Sequence, residues 1–283
     1  MLNVAALQEW VGRSESDDDV ASPKPLMRLA ALLDHSHPPW RPGELPPLAH
    51  WIYFAPVHLQ SELDPDGHAR RGGFLPPVPL PRRMWVGSRL EFSHPIEIGA
   101  SMERRSTIAG VTQKSGRRGP LVFVHIRHEI GHGGRTALIE DQQLVYRSAA
   151  ATRTHAPQPA GRRPSRIAET TRAFLPDAVQ LFRFSALTFN SHRIHYDRDY
   201  ARQVEGYPGL VVQGPLMATL LMDLCLRHCG QRTVRSFEFR AEQPVFDGAP
   251  VELCLCAAEA GAELWAVDAA GAVAMSATVG YAV

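Results

Sequence analysis

Pro95-Ile96-Glu97-Ile98-Gly99-Ala100-Ser101-Met102-Glu103 and Pro244-Val245-Phe246-Asp247-Gly248-Ala249-Pro250-Val251-Glu252 share one frame, P-φ-x-x-G-A-x-φ-E with φ apolar, at an offset of 149 residues. Each copy follows an x-Glu-Phe run, Leu90-Glu91-Phe92 or Phe237-Glu238-Phe239, and precedes alternating sequence, so both read as strand, Pro/Gly turn, strand. The offset is close to half of the 283-residue chain, which points to duplication of one domain. Between the copies, residues 149–165 are dominated by Ala, Pro, Arg and Gly and carry no hydrophobic period. The expected organisation is therefore a domain over 1–148, a linker over 149–165 and a second domain over 166–283.

Working outward from the repeat, strands dominate both halves. Leu121–Ile130 alternates, with Val122, Val124, Ile126, His128 and Ile130 on one face. Two segments read as helices, Pro25–His35 and Pro215–His228, each opening on a proline that suits a first helical turn. The second is apolar almost all round and must be surrounded. One buried helix per half, with an antiparallel sheet wrapped around it, defines an α+β fold. Pro-rich stretches at His37–Pro56 and Pro76–Pro81 give the first half long irregular connections.

Composition removes several classes of function. With 30 Lys+Arg against 29 Asp+Glu the chain is nearly neutral and has no long basic run, so no nucleic-acid or membrane-surface partner is expected. No apolar stretch approaches the ~20 residues of a membrane helix, and the first twenty residues lack a basic leader followed by an apolar core; the expected location is cytoplasmic. Cys225, Cys229, Cys254 and Cys256 all fall in the last quarter, which suits a reducing compartment and core packing better than a disulfide scaffold or a four-thiolate metal site.

His128-Glu129-Ile130-Gly131-His132 spells H-E-x-x-H, which binds zinc only on a helix. The local period is that of a strand, where the two imidazoles would stand roughly 13 Å apart, so no metal is expected there. Nucleotide-phosphate loops and the G-x-S-x-G elbow are absent from the sequence.

The chemistry concentrates after the linker. Leu181-Phe-Arg-Phe184 reads as an apolar strand, then Asn190-Ser-His-Arg193-Ile-His195-Tyr-Asp197 crowds polar groups together, and Leu210-Val-Val-Gln213-Gly214-Pro215-Leu216 opens the buried helix. Asn190 and His195, five apart across a turn, can present an amide and an imidazole to one cleft, and histidine suits proton transfer near neutral pH. The free N–H groups at the helix start, around Gln213 and Gly214, can polarise a carbonyl oxygen, and a glycine there lets a substrate approach closely.

This run, F-S-A-L-T-F-N-S-H-R-I-H-Y-D followed by L-V-V-Q-G-P-L, resembles the (R)-specific hydratase motif of the MaoC-like hot-dog family, in its type-2 hydroxyacyl-thioester dehydratase and mesaconyl- or itaconyl-CoA hydratase branch. The resemblance covers about forty residues. It implies a double hot dog whose first half is degenerate and whose second half bears the site. The family's histidine matches His195 and its helix-leading glycine matches Gly214. The family's acid falls on Asn190, which cannot act as a base, so the resemblance leaves His195 the larger share of proton transfer and gives Asn190 the orienting of water. Asp197 serves equally well as a loop-fixing side chain.

The implied reaction is reversible hydration of an α,β-unsaturated acyl-CoA to a β-hydroxyacyl-CoA, with no metal or redox cofactor and with CoA carried by the substrate. The branch implies a short branched dicarboxylic ester such as itaconyl-CoA or mesaconyl-CoA. Gln213 is expected at the substrate, Arg193 or Arg240 as the fork for a free carboxylate, and Arg104, Arg105, Arg117 and Arg118 at the CoA phosphates. A homo-oligomer is compatible with the fold. A β-hydroxyacyl-carrier-protein dehydratase and a non-catalytic acyl-thioester-binding protein stand as alternatives.

Overall fold

The computed structural model describes residues 3–116, 119–148, 161–230 and 232–282. In chain order the elements are α1 (Val4–Gln8), β1 (Ser14–Val20), α2 (Pro23–Leu32), β2 (Arg82–Phe92), β3 (Ser101–Gly116), β4 (Gly119–His132), β5 (Arg135–Arg147), β6 (Thr170–Phe174), α3 (Ala178–Leu187), α4 (Gly214–His228), β7 (Val234–Ala241), β8 (Val251–Ala258), β9 (Gly261–Val267) and β10 (Val273–Tyr281). The ten strands form one antiparallel sheet in the order β1-β3-β4-β5-β2-β7-β10-β9-β8-β6. β2 and β7 join the two halves, with Gly87 opposite Arg240 and Glu91 opposite Ser236. Trp51, Trp85 and Phe239 pack edge to face over that seam, ring centroids 5.1–6.0 Å apart.

The repeat read from sequence is a repeat of structure. Gly99 and Gly248 both turn the chain at positive φ, 96° and 76°. Leu45 N–H donates to Ile96 O in the first half and Val212 N–H to Val245 O in the second. Ser93 and His94 share Ala137 O as Glu242 and Gln243 share Ala274 O. These are equivalent bonds in the two halves, with Ile96 and Val245, and Ser93 and Glu242, 149 residues apart. Beyond these pairings the two halves part. After Val212 the chain enters α4, with ten consecutive buried residues from Leu216 to Cys225 lying across β8, β9 and β10. After Leu45 it makes only two short 3-10 turns, Ala49–Ile52 and Gln60–Glu62, in an otherwise irregular run to β2.

The helical reading of Pro25–His35 is α2, but α2 packs beside α3 rather than filling its own sheet as α4 does. Leu181-Phe-Arg-Phe184 is corrected from strand to helix. Asp177 caps α3 by accepting from Gln180 N–H, and Leu181, Phe184 and Ser185 face inward at helical spacing while Phe182 is exposed. The alternating L-F-R-F letters concealed that period.

α4 carries an acid among its apolar residues. Asp223 is buried, and its carboxylate meets Arg172 at 2.7 Å, Arg227 at 2.9 Å and His35 Nε2 at 2.6 Å, so the charge is fully partnered and ties α2 to α4. Cys225 lies in the main core with its thiol 3.1 Å from the Tyr281 hydroxyl, and burial pushes it up to about 12. Cys254 and Cys256 belong to a separate apolar cluster with Trp265 and Val273, so the four thiols share no site. His128 and His132 lie on β4, as their period predicts. Among the described residues no helix is long and apolar enough to cross a membrane. The linker over 149–165 is described only from residue 161.

Candidate active site

The site sits where α4 begins. Gln213 occupies the position before the helix, but its side chain does not cap it; its Nε2 donates instead to Leu181 O and Ser185 Oγ on α3, both at 2.9 Å. The N–H groups of Gly214 and Leu216 at the positive helix end are therefore left without a side-chain cap, and Pro215 between them has none to offer. A Cβ at Gly214 would meet only Trp85 O at 3.8 Å, an ordinary contact. Packing does not dictate the glycine, and space remains for an incoming carbonyl.

His195 lies in the 3-10 turn Arg193–His195 and is buried. Its Nδ1–H donates to Val211 O at 2.7 Å; a carbonyl can only accept, so this bond fixes the tautomer and leaves Nε2 bare. Desolvation lowers His195 to about 4, partly opposed by the Val211 bond, so the ring is neutral near pH 7. Asn190 Oδ1 accepts from His192 N–H at 3.1 Å, which leaves its amide NH₂ uncommitted. Phe189, just before it, holds a left-handed φ of 51°, and strain of that kind collects at functional loops. Asp197 accepts from Arg193 at 2.7 Å and from Tyr200 N–H at 2.9 Å, so it fixes the loop.

A cleft of about 2550 Å³ brings Asn190, His195, Gln213 and Gly214 to one surface. That volume exceeds the few hundred Å³ of an ordinary small-molecule pocket and suits a long ligand. Arg193 and Arg240 are not part of the wall, which corrects their expected role as a carboxylate fork. Arg193 is spent on Asp197, on Pro65 O and on the face of Tyr200. Arg240 follows the inward Phe239 on β7 and so points to the opposite, exposed face of the sheet. Arg105 is exposed by the same alternation, whereas Arg104 faces the cleft beside Asp17 and Phe54; Arg117 and Arg118 lie outside the described residues.

The structure adds residues that sequence reading missed. Asp64-Pro65-Asp66-Gly67-His68, from the irregular stretch of the first half, docks on the loop of the second that carries His195. Arg193 N–H donates to Asp66 O at 2.9 Å and Ser191 Oγ to Gly67 O at 2.5 Å. Gly67 holds φ 91°, and a Cβ there would fall 1.9 Å from Ser191 O, so only glycine permits this approach. Asp66 Oδ2 accepts from His68 Nδ1–H at 2.9 Å. The His68 ring lies tilted against His192, centroids 4.0 Å apart, and His192 meets His195 edge-on at 5.4 Å. The turn letters D-P-D-G-H were the available signal, but nothing local says what a turn will touch.

Donor atoms of Asp66, His68 and His192 lie within 4.8 Å of one another. The Asp66 carboxylate there is already engaged by the His68 Nδ1–H, and the His68 and His192 rings are tilted by 39°.

Arg83 also lines the cleft, half-buried, and its charge lowers both His68 and His192, which places it near the imidazoles. Deeper in the first half, Glu140 is fully buried and accepts from Ser88 Oγ at 2.6 Å and from His50 Nε2 and Trp51 Nε1 at 2.9 Å. Burial alone would raise it, but the His50 bond and the charges and donors around it hold it down at about 2.

The halves, the shared sheet and the cleft at the start of α4 define a double hot dog. A MaoC-like dehydratase from Phytophthora capsici superposes with a TM-score of 0.72 over 99% of this chain and 98% of that one, at 14% identity, and a Mycobacterium tuberculosis protein described as a double hot-dog fold with 0.61 over 96% of each, at 15% identity. The pattern of the family described as hydroxyacyl-thioester dehydratase type 2 matches residues 48–247. A mesaconyl-C(4)-CoA hydratase of Chloroflexus aurantiacus is 47% identical over 98% of this chain and 99% of its own. The chain belongs to the hydroxyacyl-thioester dehydratase type 2 family. It is a hydro-lyase, a hydratase/dehydratase of acyl-CoA thioesters.

Proposed function

We propose that this enzyme adds water reversibly across the double bond of a short, branched, dicarboxylic enoyl-CoA, with mesaconyl-CoA first and itaconyl-CoA second among substrates. The observation that carries the proposal is the bare, buried Nε2 of His195 in one cleft with the uncapped N–H of Gly214. The thioester carbonyl accepts from the Gly214 N–H, where enolate charge develops at the positive end of α4. His195 Nε2 accepts a hydrogen of the attacking water, and the Asn190 amide orients that water. Oxygen adds to Cβ and a proton to Cα. The addition is redox-neutral, so the residues suffice without a cofactor beyond the CoA of the substrate.

Two features favour a dicarboxylic ester: the 47% identity to a mesaconyl-C(4)-CoA hydratase, and Arg83 at the cleft wall near the imidazoles. Arg83 replaces Arg193 and Arg240 as the proposed carboxylate partner. Of the cleft's other guanidiniums, Arg82 is committed to Glu205 and Arg71 to the carbonyls of Val78, Leu80 and Pro81. The test is the loss of conjugated-thioester absorbance with mesaconyl-, itaconyl- and crotonyl-CoA and with crotonyl on a carrier protein. Faster turnover of a dicarboxylic CoA ester is expected. Equal rates with crotonyl-CoA would remove the carboxylate, and preference for the carrier-bound ester would make the protein a dehydratase of lipid synthesis.

A further inference from the structure

We infer that Asp66 and His68, on a loop of the first half, form the group that carries the proton in this site, with His195 holding the water, and take the place of the acid missing at Asn190. The inference rests on the hydratase reading. A hydratase must remove a proton from water and place one on Cα, and a lone neutral imidazole whose other nitrogen faces a carbonyl is poorly equipped to carry that proton. His195 is such a ring: when protonated, its only fixed hydrogen-bond partner is the uncharged Val211 O. His68 has a carboxylate in the equivalent position, and a charge-assisted bond to Asp66 stabilises its imidazolium.

The loop is built to hold this geometry. Asp66 Oδ1 accepts from His68 N–H at 2.9 Å while Oδ2 accepts from Nδ1–H, so both carboxylate oxygens are anchored and His68 Nε2 is left bare. The Ser191, Arg193 and Gly67 contacts clamp the loop to the run of residues that carries His195. His68 keeps about 21% of its side-chain surface and lines the same cleft as His195 and Gly214. His192, between the two rings, is driven down to about 2 by desolvation and by His68 and His195, so it stays a neutral spacer.

In the resting enzyme Asp66 is held ionised: burial opposes this, but the His68 bonds and nearby charge outweigh it. His68 is held neutral by desolvation first and then by Arg83 and Arg71, against the pull of Asp66. A substrate carboxylate on Arg83 would offset the second cause and make His68 a stronger base when the substrate is in place. The step then balances. Water, held between the bare nitrogens of His195 and His68, loses a proton to His68 Nε2, and its oxygen bonds to Cβ. The π pair moves through Cα onto the thioester oxygen, where Gly214 holds it. As the enolate collapses, the proton passes from His68 to Cα, and both rings end as they began.

The experiment uses the full chain with the enoyl-CoA absorbance assay. His68→Gln should lower kcat by ~10²-fold or more with KM and thermal midpoint little changed. Asp66→Asn, which preserves the turn, should lower kcat at least ~10-fold and displace the acid limb of the kcat/KM profile, because the groups facing His68 (Arg71, Arg83, His192) remain while its counter-charge is gone. Restoring an acid with Asn190→Asp in the His68→Gln background should recover activity. Variants within about threefold of wild type and with its pH profile would overturn the inference while leaving the hydratase reading standing; a wild type that converts no enoyl-CoA would overturn that reading instead. Loss of wild-type turnover on chelation, restored by zinc, would make the cluster a metal site and also overturn the inference.

Discussion

The two halves begin from the same backbone plan and diverge at one point. In the second, Val212 leads into α4, whose buried stretch fills the sheet with Leu, Met and Cys. In the first, Leu45 leads into the short turn Ala49–Ile52, and the inner face of the sheet carries Ser88, Ser106, His128 and Glu140. One half has the helix that fills its core and opens on the cleft. The other gave up its helix and so opened room for a ligand. Residues 53–81 of the first half bring Asp66 and His68 to the loop that carries His195. The difference teaches that two copies of one plan in one chain can diverge, one packed around a buried helix and the other open as a wall of the cleft.

That division can be broken most severely at His195. His195→Ala should lower kcat by ~10²–10⁴-fold with the thermal midpoint nearly unchanged, read from steady-state rates and a melting curve. If turnover survives, the second half is not the reacting half. On the wall side, Glu140→Ala should cost about 3–5 kcal/mol in urea unfolding, since it strands the His50, Trp51 and Ser88 donors in a dry interior. A neutral result would mean that water reaches them.

Core against wall is sharpened by Leu220→Ala in α4, expected to cost about 2–5 kcal/mol, beside Ile52→Ala in the short turn, expected to cost less because its neighbours border the cleft. Equal losses would show that the first half is packed as tightly as the second. Next comes Arg83→Leu, for which KM with a dicarboxylic ester should rise about tenfold while crotonyl-CoA is unaffected; a charge-assisted hydrogen bond is of that size. The smallest effect is on acid stability, and its sign follows from the depressed values. His195 stays neutral when folded down to about 4, so stability is lost as pH falls from about 6.5 toward 4. Glu140, ionised down to about 2, contributes stability above about 4.5 that is lost as pH falls through 2. Urea titrations at stepped pH, with and without His195→Ala, separate the two.

Much of this was legible in the letters. The P-φ-x-x-G-A-x-φ-E frame gave the duplicated strand–turn–strand, because turns need glycine wherever φ is positive, and the period of Leu121–Ile130 gave β4 and dismissed the zinc motif. Asn190, His195, Gln213 and Gly214 were picked out because they sit within one short stretch around one helix start, and they line one cleft. Arg193 and Arg240 were misassigned for the opposite reason. Adjacency along the chain says nothing about which face of a strand or which ion pair a guanidinium joins, and both point away from the cleft.

Local periodicity and turn chemistry therefore settled the α+β fold and singled out the stretch around the start of α4, since those signals act over a few residues and survive in any context. Which half would keep its helix, and which distant side chains would meet in the cleft, was decided only by tertiary packing. Asp66 and His68 lie more than a hundred residues from His195, and nothing short of the docked loop, with Gly67 pressed on Ser191, brings their charge to the imidazoles.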